Sequence, residues 1–209
     1  MRSSFIILGA FVLGCIAALT GLVPETLIGG DLTTLILYLL MFQVGFGLGH
    51  DPQLVTLIKS VRPRLLLLPL ATIAGGLLAS FLISFAIARW SPSEVMAVGS
   101  GFGYYSLSSI LITSLKEASI GAQAAAELGA IALIANIFRE MMTLLFAPLL
   151  MRVFGPAAPI SAGGATTADV TLPVLSRVCG NDWVIASILH GVLVDFSVPF
   201  LVPFFCSLG

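Results

Sequence analysis

Stretches of about twenty apolar residues recur along this chain, and no other feature constrains its fold so strongly. They occupy 5–23, 32–49, 65–88, 96–115, 121–150 and 183–208. A bilayer core about 30 Å thick is crossed by about 20 apolar residues in a helix, so these runs have spanning length. Charged residues make up only 9% of the chain, against about 25% in a typical soluble domain. So few charges cannot cover a water-soluble globule of 209 residues. A cytosolic enzyme, a disordered tail and a nucleic-acid binder are excluded on that ground. The apolar runs are continuous rather than alternating, which argues against an outer-membrane barrel.

The expected fold is an all-α integral membrane protein with about 6–7 transmembrane helices in a single domain over 1–209. Arg2 and the apolar residues 5–19 have the form of a signal peptide, and Val12-Leu13-Gly14-Cys15 is like a lipoprotein cleavage box. The chain stays apolar to Val23 instead of turning polar after Cys15, so a retained helix is the better reading. Lys59, Arg62 and Arg64 form the densest basic cluster and mark a cytoplasmic loop, which also makes the N-terminus cytoplasmic. Lys116 then falls inside, with Arg89 and Arg152 as outside exceptions. A crossing at 155–176 would return Arg177 inside and give seven spans. Cys15, Cys179 and Cys206 show no CxxC or Cys/His spacing. With no metal cluster, phosphate loop or nucleophilic triad in the sequence, no cofactor or metal is expected.

Two segments break the apolar pattern. Residues 99–109 carry three glycines within five positions, each costing about 1 kcal/mol relative to Ala inside a helix. Either the helix packs closely against a neighbour through small residues, or it breaks at a solute site with Tyr104, Ser106 and Ser108 as ligands. Residues 155–176 are rich in Gly, Ala and Thr and include Asp169 and Pro173. They read as a broken or re-entrant segment, with Thr166, Thr167, Thr171 and Asp169 near the midplane; the alternative is an ordinary loop.

Ionisable residues inside the apolar runs are expensive and point to function. Arg139 and Glu140 lie deep in 121–150, Glu127 near its start, and Asp195 and His190 within 183–208. Asn136 shares a helix face with Glu140. Arg139 is turned about 100° from Glu140, so each needs its own partner. Asp169, Asp195 and His190 are the available partners. These residues read either as inter-helix ion pairs that fix packing or as a solute and proton site.

Several of these motifs together resemble one family. They are Gly101-Phe102-Gly103-Tyr104-Tyr105-Ser106-Leu107-Ser108, Arg139-Glu140, Gly164-Ala165-Thr166-Thr167-Ala168-Asp169-Val170-Thr171-Leu172-Pro173 and His190-Gly191. In order and spacing they resemble the bacterial lysine exporter family, LysO. The resemblance implies export of L-lysine, and of toxic analogues such as thialysine, across the bacterial inner membrane by proton-coupled secondary transport. It implies that Glu140 is one of two functional intramembrane carboxylates. The other lies in a hydrophobic N-terminal region of roughly three helices that this sequence does not contain. Asn136 stands where some members have Asp. The chain resembles the large half of a split pair, so a small hydrophobic partner protein, or a homo-oligomer, is expected to complete it. The fold implied is an inverted-repeat transporter fold akin to bile-acid-symporter-like transporters, although no internal repeat is visible within the chain.

In this reading Glu140 alternates between the substrate ammonium and a proton, while Asp169 and the Ser and Thr groups complete the pocket. Arg139 holds the substrate carboxylate or pairs with Asp169. A transporter of another basic amino acid or cationic solute is the alternative. More remote is an intramembrane aspartyl protease using Asp169 and Asp195, for which the Gly-x-Gly-Asp motif is missing.

Overall fold

A computed structural model describes residues 63–208, together with Ile16, Thr20, Leu35, Leu39 and Phe42. The chain divides into two compact units, Met1–Gln43 and Val44–Gly209; the sequence reading treats both as one domain. The runs 5–23 and 32–49, and with them the N-terminal orientation, lie largely outside the described residues. In the first unit Ile16, Leu35, Leu39 and Phe42 are helical.

Seven α-helices make up the described part of the second unit. A 3-10 turn, Pro63–Leu66, leads into α1 (Leu67–Ser84), followed by α2 (Pro92–Gly99), α3 (Tyr105–Ile120), α4 (Ala122–Phe154), α5 (Ala157–Gly163), α6 (Leu172–Cys179) and α7 (Val184–Ser207). A second 3-10 turn, Gly164–Ala168, lies between α5 and α6. Among the described residues, three stretches are long and apolar enough to span: Leu67–Ser84, Ala122–Phe154 and Asn181–Ser207.

The run 96–115 is not a span, contrary to the expectation from its composition. It splits into α2 and α3, and the chain doubles back between them. Lys116 Nζ lies 3.2 Å from Glu94 Oε1, whereas a continuous helix would separate these residues by about 33 Å. Ser91 starts the first limb with a capping box: its hydroxyl accepts from the Glu94 N–H, and the Glu94 carboxylate accepts from the Ser91 N–H. The Ser-Pro-Ser-Glu sequence supplies both partners and a proline at the first helical position. Segment 155–176 also doubles back rather than crossing. The Cys179 thiol reaches the Pro156 carbonyl at 3.7 Å. These two chain reversals are hairpin 1 (α2–α3) and hairpin 2 (α5–α6).

The hairpins approach the middle of α4 from its opposite ends. α4 runs for 33 residues, a length of about 50 Å. Hairpin 1 has its base near the start of α4, and Gly129 of α4 sits so close to α3 that a Cβ would strike Thr113. Hairpin 2 has its base near the end of α4, where Ala147, Ile160 and Leu175 form a fully buried cluster with Leu68 and Trp183 alongside. The tips meet where the Ala165 N–H donates to the Phe102 carbonyl at 2.8 Å.

Helix sides divide as a lipid solvent demands. On α4 the buried positions Ala125, Leu128, Gly129, Ala132, Asn136, Thr143 and Ala147 form one stripe at helical spacing. Ile134, Phe138 and Leu145 point outward with more than half of their surface exposed. On α7, Val194, Val198 and Val202 are completely buried while Phe196, Phe200 and Phe204 face out. Lipid tails are as apolar as leucine, so burying apolar surface gives little drive for helix association. Close packing of small residues and inter-segment hydrogen bonds hold such a bundle together.

Candidate functional site

Glycine and small-residue chemistry first builds the meeting point of the tips. Gly164 has φ +63°, and a Cβ there would collide with the Phe102 carbonyl oxygen. Only glycine supplies that backbone conformation and that approach together. Phe102 itself lies in the left-handed region at φ 44°. Its ring is wholly buried, lies against Gly76 of α1 and stacks under the Arg139 guanidinium at 5.6 Å. Residues 99–109 are therefore both a break in the helix and a close packing site.

Two side chains of α4 hold the two tips. Asn136 Oδ1 accepts from the Gly103 N–H at 2.7 Å, and its Nδ2 donates to Ser108 Oγ at 3.3 Å and to the Ala132 carbonyl at 2.9 Å. Arg139 Nε donates to the Ala162 carbonyl and Nη2 to the Ser161 carbonyl, both at 2.8 Å. These acceptors sit at the end of α5, where helical carbonyls lack partners. Arg139 thus finds backbone rather than the expected carboxylate partner. Four residues on, Thr143 Oγ1 donates back to the Arg139 carbonyl.

A third polar junction joins hairpin 2 to α1 and α7. His190 is fully buried. Its Nε2 lies 2.9 Å from Thr72 Oγ1 and its Nδ1 3.1 Å from Thr167 Oγ1. Thr167 also meets the Gly164 and Ser187 carbonyls. Thr171 turns inward, donating to the Thr166 carbonyl at 3.0 Å.

Beside these junctions lies a cavity of about 530 Å³. Hairpin 1 contributes Gly103, Tyr104, Tyr105 and Ser106 to its wall; hairpin 2 contributes Thr166, Asp169 and Leu172; α4 contributes Glu140; α7 contributes Ile188, Val192 and Asp195. Three carboxylates from three separate elements line it, with no Lys or Arg among the described lining residues. One oxygen of Glu140, Oε2, is buried without a hydrogen-bond partner. The α3 helix begins at this wall with no side-chain cap on its first turn.

The expected site residues therefore fall into three groups. Glu140, Asp169, Asp195, Tyr104, Ser106 and Thr166 share the cavity. Arg139, Asn136, Ser108, Thr167, Thr171 and His190 instead make the bonds that shape it. Glu127 belongs to neither group: it pairs with Arg89 near the start of α4. The sequence reading missed Tyr105, Ile188 and Val192. The α7 pair was detectable, because Ile188, Val192 and Asp195 sit at i, i+4 and i+7 on one helix face.

Comparisons with known proteins bear on what such a cavity serves. The sequence model of the family described as Lysine exporter LysO matches residues 8–206. The chain belongs to the lysine exporter LysO family. It is 33% identical to the Lysine exporter LysO of Escherichia coli (strain K12) over 174 residues, which cover 82% of this chain and 54% of that protein. It is 31% identical to the Putative lysine exporter of Haemophilus influenzae over 138 residues, 66% of this chain and 64% of that relative. The match thus covers about half to two thirds of these longer proteins. No solved structure matches. LysO membership makes the chain a multi-pass membrane protein of a transporter family and not an enzyme. The aspartyl protease reading falls with that assignment, even though Asp169 and Asp195 do line one cavity.

Proposed function

We propose that this chain carries the substrate site of an L-lysine exporter, and that the carboxylate-lined cavity is that site. One observation carries the reading: in a LysO-family chain, Glu140, Asp169 and Asp195 converge from α4, hairpin 2 and α7 on one cavity without a competing cation in its described wall. Such a wall attracts a solute bearing ammonium groups and repels an anion. Lysine presents two ammonium groups and one carboxylate. Glu140 takes an ammonium or a proton in turn, which couples export to proton entry, and its unpaired Oε2 supports that role. The hydroxyls of Tyr104 and Ser106 serve the substrate carboxylate.

The doubling-back of both hairpins supports a simple orientation. The start of α1 packs near the end of α4, so Arg152 and Arg177 lie toward the end of α1 that follows the basic residues Lys59, Arg62 and Arg64 in sequence. Among the described residues, the basic side chains on the other side are Arg89 and Lys116, and both are ion-paired, with Glu127 and Glu94. The positive-inside rule then assigns the base of hairpin 2 to the cytoplasm and that of hairpin 1 to the outside. Arg152 ceases to be an exception.

The test uses a strain lacking its own lysine exporter, with this chain expressed alone and with a small hydrophobic partner protein or the part of its relatives that the match does not cover. Expected are resistance to thialysine and efflux of labelled lysine. Membrane insertion without either in any arm would defeat the reading. A second reading, export of another basic amino acid or cationic solute, rests on the same carboxylates; competition by arginine and ornithine decides between them.

A further inference from the structure

We propose that Arg139 is a positioning residue rather than a substrate ligand: it holds the two hairpin tips together at the depth of the cavity. The inference rests on the proposed export of lysine through that cavity. Arg139 and Glu140 are neighbours in sequence but point about 100° apart on α4. Glu140 faces the cavity and Arg139 faces the tips. The guanidinium makes three contacts there, and none is with a carboxylate: two α5 carbonyls at 2.8 Å and the face of Phe102 at 5.6 Å. The first two fix hairpin 2 and the third fixes hairpin 1. The tips then join directly through the Ala165 N–H to Phe102 carbonyl bond, at the place where Gly164 leaves room for it.

The consequence reaches the substrate through the hairpins. Asp169 lies one residue beyond the 3-10 turn of hairpin 2, and Tyr104 lies two residues beyond Phe102. Both line the cavity opposite Glu140. Loosening the Arg139 junction displaces these groups from Glu140 together, and a displacement of about 1 Å in a reacting site can reduce rate about 100-fold. A planar, forked guanidinium suits this task, since it bonds two carbonyls while stacking on an aromatic face; a lysine ammonium does not.

The experiment compares Arg139→Lys with the unmutated chain, using lysine and 1,5-diaminopentane, which is lysine without its carboxylate, as competitors for labelled-lysine export. Positioning predicts that the apparent affinities for both competitors weaken together, by about tenfold or more. Their ratio stays fixed whatever fraction of the protein is folded. Selective weakening for lysine would make Arg139 a carboxylate ligand and overturn the proposal; so would unchanged affinity for both.

Gly164→Ala is the second variant. It keeps the chemistry of Arg139 and of every cavity side chain but drives a methyl group into the Phe102 carbonyl and to 3.2 Å from the Arg139 guanidinium carbon, and it should reproduce the same pattern. Wild-type behaviour from Gly164→Ala would remove the tip contact from the mechanism. A third readout needs no transport. Thr167→Cys, placed in a background with Cys15, Cys179 and Cys206 replaced by Ser, occupies a fully buried position. Its reaction with a small thiol reagent should quicken about tenfold or more when Arg139→Lys is added. An unchanged labelling rate would overturn the proposal even if the chain exported something other than lysine. Failure of the unmutated chain to export lysine would instead count against the function reading alone.

Discussion

The two hairpins reach the same point on α4 by different chemistry. Hairpin 1 is closed at its base by an ion pair shielded from solvent: the Lys116 side chain is 0% exposed and that of Glu94 9%. Hairpin 2 is closed by the Ala147, Ile160 and Leu175 cluster, with no charge in it. At the tips the pattern reverses. Hairpin 1 brings hydroxyls and aromatic rings to the cavity, and hairpin 2 brings the charge of Asp169. Their anchors on α4 differ in the same sense, a neutral amide for hairpin 1 and a guanidinium for hairpin 2. Each hairpin therefore has one charged end and one neutral end, pointing opposite ways. A charge paired and shielded at the base of hairpin 1 thus stands against carboxylates that have no ion-pair partner among the described residues at the cavity.

The largest expected effect tests the structural charge. Removing one partner of a buried pair leaves the other uncompensated, at a cost of about 3–5 kcal/mol. Lys116→Met should lower stability in detergent by that order. Glu94→Gln combined with Lys116→Met should recover most of it, although Glu94 also caps α2 through Ser91. Thermal unfolding of the two single variants and the double variant measures the coupling. A double variant as unstable as the sum of the singles would deny the pair its role. Glu140→Gln tests a working charge and should do the opposite, leaving stability intact while lowering lysine export about 100-fold, or about 2.7 kcal/mol. Retained efflux in Glu140→Gln would remove this residue from the site. Asp169→Asn should lower export less, about tenfold, because Asp169 is exposed whereas one oxygen of Glu140 is buried. If Asp169→Asn proved the more damaging of the two, hairpin 2 rather than α4 would carry the principal cation site.

Much of this arrangement is legible in the residues, and the part that is not has a physical reason. Run lengths locate α1, α4 and α7, because spanning helices are marked by apolar length alone. Glycine and hydroxyl residues mark both breaks, since a lipid-facing helix has no use for them. The direction of the chain through each break is not marked. A broken span and a hairpin place the same small residues at the same depth, and only the meeting of Glu94 with Lys116 and of Pro156 with Cys179 separates them. Lys116 reads as an ordinary loop charge because nothing local shows that it is buried against Glu94. The sequence marks the intramembrane polar residues as one set, yet in the structure Arg139, Asn136 and His190 lie at the junctions and Glu140, Asp169 and Asp195 at the cavity. That division depends on which face of α4 or α7 meets a hairpin. A hydroxyl or amide is also satisfied equally well by backbone, as Thr167 and Thr171 are.

The smallest predicted effect falls on hairpin 1 and tests whether its neutral tip contributes binding or only shape. Tyr104 lines the cavity and is half-buried there. Tyr104→Phe removes one hydroxyl and keeps the ring, so packing against the tip is preserved. A single neutral hydrogen bond contributes about 0.5–1.5 kcal/mol net, which corresponds to a change of about two- to tenfold in apparent affinity. If that hydroxyl serves the substrate carboxylate, Tyr104→Phe should weaken competition by lysine within this range and leave 1,5-diaminopentane untouched. Arg139→Lys should weaken both. The opposite pattern, Tyr104→Phe acting on both competitors and Arg139→Lys on lysine alone, would exchange the roles assigned to the neutral tip and the charged junction. Equal weakening of both competitors by both variants would mean that hairpin 1, like Arg139, acts on the substrate only through the position of the tips.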